Sequence, residues 1–140
     1  MLFPKKVKHR KWQNDRTNPR RYTPDNRGAT VAFGAYGLKA LTQARVQSKQ
    51  IEAARRVISR TLGKTGRVWI RIFPDRPFTQ KAAEVPMGKG KGDPKGFVFD
   101  VRPGRILFEV DGVTEAVARE IFRKATAKLP VKSKTVLREG

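Results

Sequence analysis

The chain contains no cysteine and a single histidine, His9. Without thiols there can be no disulfide staple, thiolate metal site or cysteine nucleophile. One histidine with no second imidazole or thiol nearby in sequence makes an unsupported general base and a poor metal ligand. Acidic residues are also scarce, at 12 against 32 lysines and arginines. No apolar run reaches the roughly 18 residues that a membrane-spanning helix needs. The first residues, Met1-Leu2-Phe3-Pro4-Lys5-Lys6, become charged too soon for a secretory signal and are read as mature protein. These shortages weigh against metalloenzyme, thiol-enzyme and membrane-protein readings. No catalytic residue, metal site, cofactor or small-molecule substrate is expected.

What is present in excess is positive charge, +20 on 140 residues. Such a charge repels itself in a compact body and calls for a polyanion. Nucleic acid fits, because each phosphate contact releases a condensed counterion; an anionic membrane surface is the simpler competitor. With 38% hydrophobic residues the chain still has the means to build a core.

The charge is concentrated at the start. Residues 1–27 carry nine basic residues (Lys5, Lys6, Lys8, Arg10, Lys11, Arg16, Arg20, Arg21 and Arg27) against Asp15 and Asp25, a local +7. Pro4, Pro19 and Pro24 interrupt any helix there, and the apolar residues keep no period. The segment reads as a basic extension laid along RNA, with Trp12 or Tyr22 stacking or packing at its edge. A globular domain is expected over 28–140.

Within that domain, Thr30 to Phe33 reads as a strand bent near Gly34 and Gly37. Ser48 is the expected cap of a helix whose Ile51, Ala54, Ile58 and Leu62 recur at helical spacing and which stops at Gly63. Arg55, Arg56 and Arg60 on its other face are expected to form a solvent-facing basic stripe. Arg67 to Phe73 alternates, with Val68, Ile70 and Ile72 to one side and Arg67, Trp69, Arg71 and Phe73 to the other, until Pro74 and Pro77 end it. Residues 81–96 are a Gly/Lys-rich loop. Phe97–Val101 and Ile106–Val110 are expected to form a hairpin about Arg102-Pro103-Gly104-Arg105, with Asp100 and Glu109 outward beside arginines. Thr114 caps a second helix with a stripe of Val117, Ile121, Ala125 and Leu129, and a basic strand closes the chain from Val131 to Leu137. This order gives an α+β fold, a mainly antiparallel sheet with two amphipathic helices plus the basic N-terminal extension.

The stretch Met87-Gly88-Lys89-Gly90-Lys91-Gly92 fits neither phosphate-binding fingerprint. No Gly-Lys is followed by Ser or Thr, and the glycine spacing and framing of a dinucleotide loop are missing. Its alternating glycines permit close backbone approach and its lysines add charge with little bulk. It is therefore expected to thread between phosphates.

Lys64 to Pro74 (KTGRVWIRIFP) and Pro86 to Gly92 (PMGKGKG) resemble the two signatures of the bacterial form of large-subunit ribosomal protein sixteen. The opening Met1 to Lys11, Val31 to Leu38, Gln50 to Arg55, Arg102 to Arg105 and Lys128 to Lys132 fit as well, so the resemblance spans essentially the whole chain. It implies a hammerhead-type α+β fold, binding to large-subunit ribosomal RNA, contact with aminoacyl-site and peptidyl-site transfer RNA, a part in late subunit assembly, and neighbouring ribosomal proteins as partners. The location implied is on the ribosome in the cytoplasm, or in an organelle matrix for an organelle-encoded copy. Ribosomal-RNA contacts are expected at Lys5, Lys6, Lys8, Arg10, Lys11, Arg16, Arg20, Arg21, Arg67, Arg71, Lys128, Lys132 and Lys134. Transfer-RNA or peptidyl-transferase-proximal contacts are expected at Arg55, Arg56, Arg60 and Met87 through Gly92. Pro86 stands where the family commonly has arginine, Ala35 where it often has aspartate, and Trp12 to Arg27 is longer than the family pattern. A free-standing basic nucleic-acid-binding or RNA-chaperone protein would share the charge but would not require these motifs in this order.

Overall fold

The structure, a computed structural model, describes residues Leu2, Pro4, 28–79 and 94–138. Nine elements follow in order: β1 (Tyr36–Ala40), β2 (Ala44–Gln47), α1 (Ser48–Leu62), β3 (Arg67–Ile70), β4 (Arg76–Thr79), β5 (Pro94–Val101), β6 (Ile106–Asp111), α2 (Glu115–Thr126) and β7 (Ser133–Leu137). The strands form two antiparallel sheets, one ordered β3-β6-β1-β7 and the other β2-β5-β4. This is the expected α+β class.

The helices form where their apolar periods lie. α1 buries Ile51, Ala54, Ile58 and Leu62. Gly63 ends it at φ +70°, a left-handed conformation that glycine adopts without a Cβ penalty, and its N–H reaches the Ser59 carbonyl at 3.2 Å. The N-cap is Gln47 rather than Ser48: its backbone N–H donates to Gln50 Oε1 at 2.8 Å. Ser48 lies inside the helix, and its hydroxyl donates to the Leu2 carbonyl at 2.8 Å while the Leu2 side chain packs on the core. At α2, Thr114 Oγ1 accepts from the Val117 N–H, as the cap pattern indicates. The buried stripe is Ala118, Ile121, Phe122 and Ala125; Val117 is 40% exposed. A stripe wide enough to meet both α1 and the sheet takes Ala118 and Phe122 inward and turns Val117 out.

β6 is one of the two interior strands of the larger sheet, and Ile106 to Val110 are all buried. Two of its neighbours explain why. In register, Ile70, Phe108, Leu38 and Thr135 share one face, and the apolar members of that row join the core with the helices. Trp69, Glu109, Gly37 and Val136 share the opposite face. The segment from Gly28 to Ala35 crosses that second face as a loop, anchored by Ile106 N–H on the Gly28 carbonyl (2.7 Å) and Ala35 N–H on the Val110 carbonyl (3.0 Å). Thr30 to Phe33 is therefore not a strand. The strand begins at Tyr36, and the register shift of β1 falls between Leu38 and Lys39.

The expected hairpin between the fifth and sixth strands is absent as well. The turn is present, with Arg105 N–H on the Arg102 carbonyl at 3.2 Å and Gly104 at φ +96°, but it carries the chain from one sheet to the other. β5 pairs instead with β2 and β4, four-residue strands that the sequence pattern does not reveal, and Pro77 sits inside β4. A proline is tolerated there because β4 is an edge strand. The Gly/Lys-rich stretch thereby connects two paired antiparallel strands, β4 and β5.

Candidate nucleic-acid interface

Five of the seven described carboxylates of the folded body, all but Asp75 and Asp111, are spent on its own arginines. Asp100 on β5 lies between Arg45 of β2 (3.4 Å) and Arg76 of β4 (2.5 Å), and Arg76 is almost wholly buried. On α2, Glu115 holds Arg119 at 2.8 Å, and Glu120 holds Arg123 at 2.6 Å with Lys124 at 4.0 Å. The outer face of that helix is thus close to neutral. The expectation of charge balance at Asp100 is met.

α1 differs from the stripe expected of it. Glu52, one turn earlier, accepts two hydrogen bonds from Arg55 (2.5 and 3.1 Å) and lies 3.4 Å from Arg56. Arg55 is half-buried in this pair rather than free in solvent, because a carboxylate three residues before an arginine lies on the same helical face. The hydrogen bond from Arg55, reinforced by its charge and that of Arg56, draws the Glu52 carboxyl down to about 2. Arg56 keeps most of its surface in water, and Arg60 is exposed with no ion pair among the described residues.

The other described site residues divide by exposure. Arg67 opens β3 opposite Asp111 and is exposed. Lys128, Lys132 and Lys134 lie exposed along the approach to β7 and on it. β7 is an edge strand, and no acidic residue falls between Glu120 and Glu139. Lysines on an edge also deter edge-to-edge association. Lys5, Lys6, Lys8, Arg10, Lys11, Arg16, Arg20, Arg21 and Met87 to Gly92 lie outside the described residues.

Arg71 is engaged within the protein. Its guanidinium hydrogen-bonds Glu109, which is 0% exposed, and lies 5.0 Å above the Phe33 ring. Glu109 was expected to point outward, but the 28–35 loop covers the face on which it stands. Its Oε1 accepts the N–H groups of Ala32 (3.0 Å), Phe33 (2.7 Å) and Gly34 (2.9 Å). Burial, the largest single influence, pushes its carboxyl up. The bonds from Gly34, Arg71, Phe33 and Ala32 together outweigh it and hold the group below the usual carboxylate range. Sequence alternation gave no sign of this, since the covering element is a loop.

Close approach of the loop is possible because two residues lack side chains. A Cβ on Gly34 would stand 2.5 Å from the Val110 carbonyl oxygen, and one on Gly37 would stand 2.7 Å from Val31 Cγ2. On this base Phe33 lies stacked against Trp69, centroids 6.2 Å apart at 19°, and remains 55% exposed. Among the described residues no three metal-ligating side chains gather, and no helix is long and apolar enough to cross a membrane.

The family model for ribosomal protein L16p/L10e matches residues 4–136. The large ribosomal subunit protein uL16 of Micrococcus luteus is 51% identical over 140 residues, covering all of this chain and 99% of that protein. Matched by the family model along nearly all of its length, the chain belongs to the ribosomal protein L16p/L10e family.

Proposed function

We propose that this protein is a structural component of the large ribosomal subunit that binds large-subunit ribosomal RNA, meets transfer RNA and supports late subunit assembly. The coarse part follows from the family: the chain is a ribosomal protein, part of a ribonucleoprotein that carries out translation. The finer part rests on one observation, the segregation of charge. Acids cancel the arginines of α2 and the small sheet. The unmatched cations lie on the later half of α1, at the start of β3 and along β7. Such a body presents basic surfaces to phosphate without relying on its whole net charge. RNA performs the chemistry of peptide-bond formation, and this protein braces it; no residue here is assigned a catalytic role.

Ribosomal RNA would be met by the residues 1–27, by Arg67 and by Lys128, Lys132 and Lys134. Transfer RNA would be met by Arg56, Arg60 and the Met87 to Gly92 stretch, which leaves the β4–β5 pair. α1 starts after Gln47, which is level with Val98 and Arg76, four residues along β5 from Pro94 where that stretch rejoins the sheet.

The test is a ribosome carrying Lys89→Ala and Lys91→Ala together. The free protein should melt within a degree or two of wild type, while large-subunit maturation or transfer-RNA accommodation slows. A double variant that unfolds the free protein would make the stretch part of the fold and end this reading of it.

A further inference from the structure

We propose that Phe33 is a stacking platform for an unpaired RNA base, held rigid from beneath by the buried Glu109. The inference rests on the RNA-binding reading above and names the chemistry of one of its contacts. An exposed phenylalanine on a loop normally yields to water by moving. Here the backbone on both sides is fixed, because the N–H groups of Ala32, Phe33 and Gly34 all point at one buried carboxylate oxygen. The ring rests on Trp69 and on the Arg71 guanidinium. Trp69 lies in β3 and Arg71 just past its end, where the Arg71 N–H continues the ladder to the Leu107 carbonyl at 2.9 Å. With both contacts made, Phe33 still keeps 55% of its surface exposed.

The surroundings favour a nucleic-acid occupant over an apolar protein side chain. Arg67 is exposed on β3, two residues before Trp69, and Arg105 donates to the Arg71 carbonyl at 3.1 Å while its guanidinium lies 5.1 Å from the Phe99 ring centroid. Arg71 itself is matched by the fully buried Glu109, and Asp111 stands opposite Arg67. The chain also reaches this face at Gly28, directly after the +7 stretch of residues 1–27. An exposed aromatic ring with an exposed arginine on the strand that carries its stacking partner, in a strongly basic chain, is the combination by which single-stranded RNA is bound, the ring taking the base and the cations the backbone.

The full-length protein can be titrated with a single-stranded oligoadenylate and with an abasic oligomer of equal length and charge. Wild type should prefer the base-bearing strand. Phe33→Leu keeps an apolar group and all backbone hydrogen bonds but removes the π-face. It should weaken oligoadenylate binding roughly 5- to 150-fold. Its affinity for the abasic strand, its salt dependence and its melting temperature should stay as in wild type. Phe33→Trp should keep the preference. A Leu variant that binds oligoadenylate as wild type does overturns the platform and leaves the RNA reading standing. A wild-type protein whose binding to both strands ignores salt overturns the RNA reading itself.

Discussion

Glu109 shows how much one residue can escape a sequence. Read by alternation it is an outward carboxylate on a half-exposed strand; in the fold it is a fully buried anion with an arginine and three backbone donors around it. The missing information is long-range. The donors come from 75 to 77 residues earlier, in a segment whose β-forming residues promise a strand. Removing one member of a buried, hydrogen-bonded charge pair leaves the other uncompensated, so Glu109→Ala should cost about 3–5 kcal/mol, measured by denaturant unfolding. Gly34→Ala forces a methyl against the Val110 carbonyl and should cost about 1–3 kcal/mol on the same assay. An alanine variant of wild-type stability would mean that the loop does not press on the sheet.

At the scale of elements, legibility followed length and periodicity. α1 and α2 repeat their apolar positions over three or more turns, and both appear where the pattern puts them, with Gly63 and Thr114 in their expected terminal roles. β2 and β4 have four residues each and leave too short a pattern to see, and Pro77 argues against a strand until the sheet order shows β4 at an edge. The paired strands about Arg102–Arg105 failed for another reason: a competent turn does not dictate that the strands it joins belong to one sheet. Ile58 is wholly buried on α1, and Ile58→Ala should lose about 2–5 kcal/mol. Arg60→Ala, which frees no buried partner, should change stability by less than about 0.5 kcal/mol. Glu52 gives α1 an acid-sensitive bond. Its folded value of about 2 lies below the ordinary 4.5, so its contribution is complete above that ordinary value and is lost as pH falls toward 2. Glu109 acts in the same direction. Glu52→Gln should flatten the loss of stability between pH 4.5 and 2, as followed by thermal melts across that range; an unchanged slope would mean that Arg55 gains nothing from the charge.

For the whole molecule the governing quantity is net charge, and it was plain from composition, whereas its placement was not. The sequence makes every arginine a candidate contact. The fold removes Arg55, Arg71 and Arg76 into internal pairs and lets α2 neutralise itself, leaving fewer cations than the composition suggests for the body's share of the interface. The net +20 must then act through the remaining body cations and residues 1–27 together. If they neutralise about eight phosphates, the logarithm of affinity for large-subunit RNA should fall against the logarithm of salt with a slope on the order of −6. Deleting residues 1–27 removes nine of the basic residues and should make the slope markedly shallower. Replacing Arg119 and Arg123, already matched by glutamates, should leave it nearly unchanged although the formal charge falls by the same two units as in Lys132→Ala with Lys134→Ala. The lysine pair, with no ion pair among the described residues, should reduce it by about 1–2. Equal slopes for the two double variants would show that affinity follows total charge and not its arrangement, and the division of the surface into spent and available cations would carry no function.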